Sequence, residues 1–504
     1  MKANRALSFD MVSVGWRNGE RNSVEDASMK AGSSLLRNTL ALSVPNAINP
    51  FLSFILVLVI SRRLGAEGLG EYSLLLSFSL IFTTISSLGL GSLVVREVSR
   101  EPEHVHAFFV NSMGFGFVSS IVGLVVMNLV IHVMNYDAAV VLGAFFCSLA
   151  LIPGTAIRYM ESIFRGLERS EFVAAGFAFE NGLRVLVCVP LVLLGYGIVA
   201  IFAVITIIRL LGFFLLYYFY VKINGRPGWS FRPDIWGHLT REAPTFAGIA
   251  IFSTLHLNMC EVMLSKLQSI EAVGIFSAAG RIINMCQTLP LGFSLAVLPF
   301  LTKKSGEGKR DLFRGSVDSL RYVFIGVCPM VVGAFVLGDQ IIDLVYGAKF
   351  VSAGPVLRYL AFVMLPYTMV LILAQLLIAT NNQRVDLMIN ISAVALSFVF
   401  NYAFIPRLGE LGAVLAAFLT LVILNHLQYL SIKKLLFEMP LLRILWKPAA
   451  ASMAMGVGTY FMQGWHLFLN IGVSACLYVV FVMLFRIFTQ DELIRLRKAV
   501  HFGI

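Results

Sequence analysis

The sequence predicts an all-α integral membrane protein of about 14 transmembrane helices, built as two pseudo-symmetric six-helix bundles plus two C-terminal helices. Three observations carry that prediction. Of 504 residues, 58% are hydrophobic and only 13% charged, where a soluble chain carries roughly 25% charge. Apolar runs of about 20 residues, the length that crosses a bilayer, recur from one end of the chain to the other. Lys and Arg then sort onto one side of the resulting map.

The elements follow in order. Residues 1–37 are polar and of mixed charge, with no apolar run suited to a cleaved signal peptide. They read as a flexible cytoplasmic tail. Spans are predicted near 38–60, 72–95, 107–134, 138–164, 171–194 and 197–221, which make the first bundle (38–222). A cytoplasmic linker, 223–241, leads to spans near 242–265, 270–300, 316–338, 354–379, 385–405 and 409–432, the second bundle (242–435). Two additional helices, 447–464 and 467–487, lie within 436–488, and 489–504 is a basic amphipathic cytoplasmic tail suited to an anionic membrane surface. With both termini cytoplasmic, the inner segments hold 28 Lys and Arg against 6 in the outer loops. That bias orients the chain and requires an even number of spans.

The net charge of +11 is the positive-inside excess of a membrane protein, and nucleic acid is excluded as a partner. The six cysteines fall in apolar segments without metal-ligand spacing. No GxxxxGK[ST] or HExxH motif occurs and the outer loops are short, so an enzyme is not expected.

An internal repeat is visible. Ser61-Arg62 through Glu67-Gly68-Leu69-Gly70-Glu71-Tyr72-Ser73 recurs without a gap, 204 residues later, as Ser265-Lys266 through Glu271-Ala272-Val273-Gly274-Ile275-Phe276-Ser277. A looser echo pairs Gly197-Ile198-Val199-Ala200 with Gly412 through Ala416. Both sit at corresponding places in the two halves, so the halves share one orientation.

The stretch Ser61–Ser73, the inner-loop motif Arg96-Glu97-Val98-Ser99-Arg100 and the helix start Val273-Gly274-Ile275-Phe276-Ser277-Ala278-Ala279 resemble Wzx-type polysaccharide flippases. These belong to the multidrug/oligosaccharidyl-lipid/polysaccharide (MOP) exporter superfamily. The resemblance implies two facing bundles with alternating access, and a polar cavity for a sugar-diphosphate head whose polyprenyl tail stays in lipid. The function it implies is translocation of undecaprenyl-diphosphate-linked oligosaccharide repeat units across the bacterial inner membrane, for exopolysaccharide, capsule or O-antigen. The alternatives are a peptidoglycan-precursor flippase or a multidrug exporter of the same superfamily, and, from another class, a membrane-embedded polysaccharide polymerase or ligase. The lipid-linked oligosaccharide and membrane lipids are the expected partners. A polysaccharide polymerase and chain-length proteins are candidate partners.

A charge at the bilayer centre costs roughly 2.5–3.5 kcal/mol or more, so residues that bear it face a cavity, a partner or an interface. Arg209 and Arg281 are the clearest cases and are expected to meet a diphosphate, since guanidinium groups hold phosphate oxygens by paired hydrogen bonds. Glu180 and Arg184, spaced i,i+4, can pair locally. Arg158, Glu161 and Arg165 form a ladder near a helix end, where anchoring suffices. A polar stripe of Thr254, Asn258, Glu261 and Ser265 and a counterpart in Asn46, Asn49 and Ser53, interrupted by Pro45 and Pro50, mark two mobile, cavity-lining helices. Glu261 and His256 can change charge or coordinate an ion, and are the candidates for proton or sodium coupling. No metal or organic cofactor is expected.

Overall fold

The computed structural model describes residues 52–228 and 230–487, and every regular element among them is helical. The first half comprises α1 (Leu52–Ser87), α2 (Gly91–Arg100), α3 (Val105–Val133), α4 (Ala138–Leu149), α5 (Leu151–Gly166), α6 (Ser170–Leu193) and α7 (Ile198–Asn224). The second comprises α8 (Pro233–Leu267), α9 (Ile270–Glu307), α10 (Lys309–Tyr346), α11 (Ala353–Ala379), α12 (Gln383–Leu408) and α13 (Glu410–Leu435), followed by α14 (Leu441–Phe461) and α15 (Leu467–Leu484).

Among the described residues, 11 helical segments are long and apolar enough to cross a membrane, or up to 12 if the bent pair α1–α2 is one span. The described residues do not confirm the expected count of fourteen, for reasons visible in the sequence. The span expected at 38–60 begins outside the described residues. From Leu52 onward the chain stays helical through the expected first outer loop, with Gly65 at φ +75° inside the run. α14 carries Arg443 and Lys447 in its opening turns and is not among the 11.

Other boundaries move because helices outrun the bilayer. α9 and α10 have 38 residues each, about 57 Å at 1.5 Å per residue against a hydrocarbon core of about 30 Å. The basic segment expected as a loop near 301–315 is instead helical on both sides of Gly308, whose φ of +123° makes the reversal. Helix α8 likewise begins at Pro233, inside the expected linker, with Pro in the first turn where its missing N–H is harmless. Counting apolar residues alone misses such charged helical extensions.

The two halves repeat one packing scheme. In the first, α5 packs against α2, α3 and α7, and α6 against α7. In the second, α11 packs against α9, α10 and α13, and α12 against α13. Helices α14 and α15 pack on each other and on α10. The halves meet along a seam between α1 and α8, which run antiparallel. From one end to the other, Gly89 faces the Phe246 carbonyl, Thr254 Oγ1 donates to Thr84 Oγ1 at 3.2 Å, and Ser77 Oγ donates to Glu261. At the far end Gly70 meets Ile270, the first residue of α9. Small and hydroxylic side chains let helices approach closely where no hydrophobic effect drives them together.

Candidate functional site

The charged residues inside the bundles form two separate groups. The first lies where α5, α6 and α7 meet. Two glycines make room for it. Arg209 on α7 extends toward α5 at Gly154, where a Cβ would stand 3.1 Å from Arg209 Nη1. Glu180 on α6 extends toward α7 at Gly212, where a Cβ would stand 2.7 Å from Glu180 Oε1. Gly212 is three residues beyond Arg209, on the same helix face. The tertiary fold therefore brings an acidic group to the arginine that lacks one in sequence. No ion pair joins Glu180 to Arg184 or to Arg209 among the described residues; the Glu180 carboxylate instead lies against Gly212 of α7.

Arg158 on α5 adds its charge to the group and is exposed, while its neighbour Glu161 is paired with Arg165 at 3.6 Å. Three arginines thus face two carboxylates, and one carboxylate is already engaged. Arg184 Nε and Arg209 Nη1 are buried without a hydrogen-bond partner. A buried guanidinium N–H left unpaired costs about 1–3 kcal/mol or more. Planar donors, a net positive field and unmet hydrogen bonds are the chemistry that suits an anion.

The second group sits in the seam between the halves. Glu261 on α8 accepts from Ser77 on α1 and from Ser277 on α9, the latter at 3.3 Å. Arg281, one turn further along α9, is the cation acting on this carboxylate. Asn258 donates to the Thr254 carbonyl of its own helix at 2.9 Å, so its amide N–H is engaged. His256 Nδ1 is buried without a partner. Asn46 and Asn49 lie outside the described residues. The structure thus brings Glu180, Arg184 and Arg209 together, and Glu261 with Arg281, as two centres on different helices. No cluster of three or more His, Cys, Asp or Glu that could hold a metal ion occurs among the described residues.

Sequence reasoning missed Ser77, Ser277, Gly154 and Gly212. Ser277 stands in the repeat as the equivalent of Ser73; Ser77 and the glycines are flagged by nothing, the glycines because their role is the absence of a side chain beneath a neighbour.

Comparison with known proteins bears on this arrangement. The family model described as polysaccharide biosynthesis protein matches residues 35–304, and the MatE model matches residues 244–403. The chain is 24% identical over 318 residues to the succinoglycan biosynthesis transport protein ExoT of Rhizobium meliloti (strain 1021), covering 62% of each. It is 27% identical over 209 residues to the lipid III flippase of Escherichia coli (strain K12), covering 38% of this chain and 48% of that one. These matches span less than two thirds of either relative. The solved lipid II flippase MurJ in an inward closed conformation superposes with a TM-score of 0.76 at 14% identity, over 88% of this chain and 98% of that one, which establishes the fold. With more than half its length matched by the family model, this multi-pass membrane protein belongs to the polysaccharide biosynthesis protein family, as the resemblance to polysaccharide flippases of the MOP superfamily predicts.

Proposed function

We propose that the chain is a flippase that moves undecaprenyl-diphosphate-linked oligosaccharide repeat units from the cytoplasmic to the periplasmic leaflet of the inner membrane, supplying exopolysaccharide, capsule or O-antigen synthesis. The observation that carries the reading is the Arg184–Arg209 centre. Its unpaired guanidinium N–H groups lie within a transporter fold and suit a diphosphate. The small-residue seam between α1 and α8 supports alternating access, because two rigid halves can part along a line with few bulky interlocking side chains. In this reading the positive-inside bias puts both termini in the cytoplasm. Glu261, at the seam beside Arg281, is the group through which a proton or sodium gradient biases direction, since binding alone shifts no equilibrium without differential affinity. The relatives named as a flippase and a transport protein favour transport over the polymerase or ligase alternative.

The test follows radiolabelled lipid-linked sugar in membranes of a strain lacking this chain. Intact units accumulate on the cytoplasmic face, and wild type but not Arg209→Gln restores their passage. Units that reach the outer leaflet normally and stall there unpolymerised would instead identify a polymerase or ligase.

A further inference from the structure

A crevice of about 800 Å³ opens on the side of the first half, across α5 from the Arg209 centre. Its walls are Phe109, Met113 and Phe117 of α3, Pro153 of α5 and Phe213 of α7, and the loop between α7 and α8 with Trp236 closes one end. No charged side chain lines it. Its volume is that of a ligand site, roughly 300–1,000 Å³. At the mouth, Phe117 and Val118 are each 54% exposed, and Leu210 46%. They continue exposed apolar stripes along α3 (Ile121, Val122, Val125) and α7 (Ile207, Phe214). In a membrane such stripes face hydrocarbon, so the crevice opens to lipid.

Its depth matches one leaflet. Phe109 to Val118 rises about 14 Å at 1.5 Å per residue, close to half of a hydrocarbon core of about 30 Å. The closed end is rigidly built. Asn111, fully buried, donates from Nδ2 to the Ser230 carbonyl at 3.1 Å and accepts at Oδ1 from the Arg232 amide at 3.2 Å. This clamp holds Phe231 against the crevice. Two arginines flank the clamped loop. Arg232 is engaged with Asp234 at 2.8 Å, and its hydrogen bond holds the Asp234 carboxyl below the usual range. Arg226 and Lys222 are exposed and form no ion pair among the described residues.

From an apolar slot one leaflet deep, whose closing loop begins beside the exposed Arg226, we infer a binding site for an anionic phospholipid of the leaflet at that end. Its acyl chain occupies the slot and its phosphate meets Arg226. The transported lipid is not the occupant. Ile152, Pro153 and Ala156 of α5 wall off the crevice, while Gly154 of the same helix faces Arg209, so a head group attached here lies outside the bundle. The bound lipid braces the joint where the first half passes into the second.

The test is native mass spectrometry of the full chain, stripped of lipid and re-supplied with phosphatidylglycerol or phosphatidylethanolamine vesicles. Wild type retains phosphatidylglycerol preferentially. Arg226→Gln lowers that retention by about fivefold and leaves phosphatidylethanolamine retention unchanged. Ala156→Leu with Gly114→Leu, which fills the slot, abolishes retention of both while melting temperature holds. Equal retention of the two lipids by wild type, or an Arg226→Gln variant that behaves as wild type, would overturn the proposal. So would displacement of phosphatidylglycerol by an added polyprenyl diphosphate, which would make the slot a substrate site.

Discussion

Gly70 and Gly274, 204 residues apart and equivalent in the internal repeat, make the same contact in opposite directions. A Cβ on Gly70 would stand 1.9 Å from the Ile270 carbonyl oxygen, and one on Gly274 would stand 1.8 Å from that of Ala66. Residues 66 and 270 are themselves 204 apart, so the two repeats pack face to face as a two-fold symmetric interface packs. Backbone lies against backbone at the end of the α1–α8 seam, which is thereby shut at this end.

Any side chain at either glycine collides with main chain that cannot swing aside. Gly70→Val and Gly274→Val are therefore expected to hold this end open, with transport falling at least tenfold and stability by roughly 1–3 kcal/mol. Labelling of a cysteine at position 77 by a membrane-impermeant thiol reagent measures the opening. Unchanged labelling in both variants would refute a gate here.

Arg62 secures the same end from the first half. Its guanidinium donates to the carbonyls of Leu344 and Val345, each at 3.0 Å, in the last turn of α10, where carbonyls lack helical partners. Arg62→Ala is expected to lower stability by only about 1 kcal/mol, because the group is exposed. It should nevertheless raise labelling at position 77 relative to wild type.

The Gly154 notch is what admits Arg209. Gly154→Leu should displace that guanidinium and reduce export at least tenfold, matching Arg209→Gln, while the protein still reaches the membrane in normal amount. Export at wild-type level with Gly154→Leu would separate Arg209 from substrate handling.

Glu261 depends on two hydroxyl donors from different halves. Ser77→Ala and Ser277→Ala should each cost about 1–3 kcal/mol in thermal unfolding, since a buried acceptor loses a partner. Glu261→Gln keeps the shape and removes the charge. It is expected to abolish the response of transport to an imposed proton or sodium gradient, measured in proteoliposomes, and a retained response would place coupling elsewhere.

How much of this was legible beforehand differs from residue to residue. The spans from α3 to α13 read directly from apolar runs, because a bilayer imposes one length and one polarity on whatever crosses it. The repeat read directly too, yet the contact between Gly70 and Gly274 did not: similarity between two segments says nothing of whether they touch. Glu180 illustrates the opposite failure. Its i,i+4 neighbour Arg184 is the evident partner in the sequence, yet no ion pair joins them among the described residues, and packing lays the carboxylate against Gly212 on another helix.

The sequence by itself determined the class, the approximate helix ladder, the twin halves and the identity of the intramembrane charges, since these follow from hydropathy, charge sign and periodicity along one dimension. Only the tertiary structure decided which charges share a centre, that α9 and α10 run on past the apolar runs as helix, and that glycines at 70, 154, 212 and 274 form the notches between helices. Those depend on which faces meet, and a helix presents every face to the sequence equally until packing against a neighbour selects one.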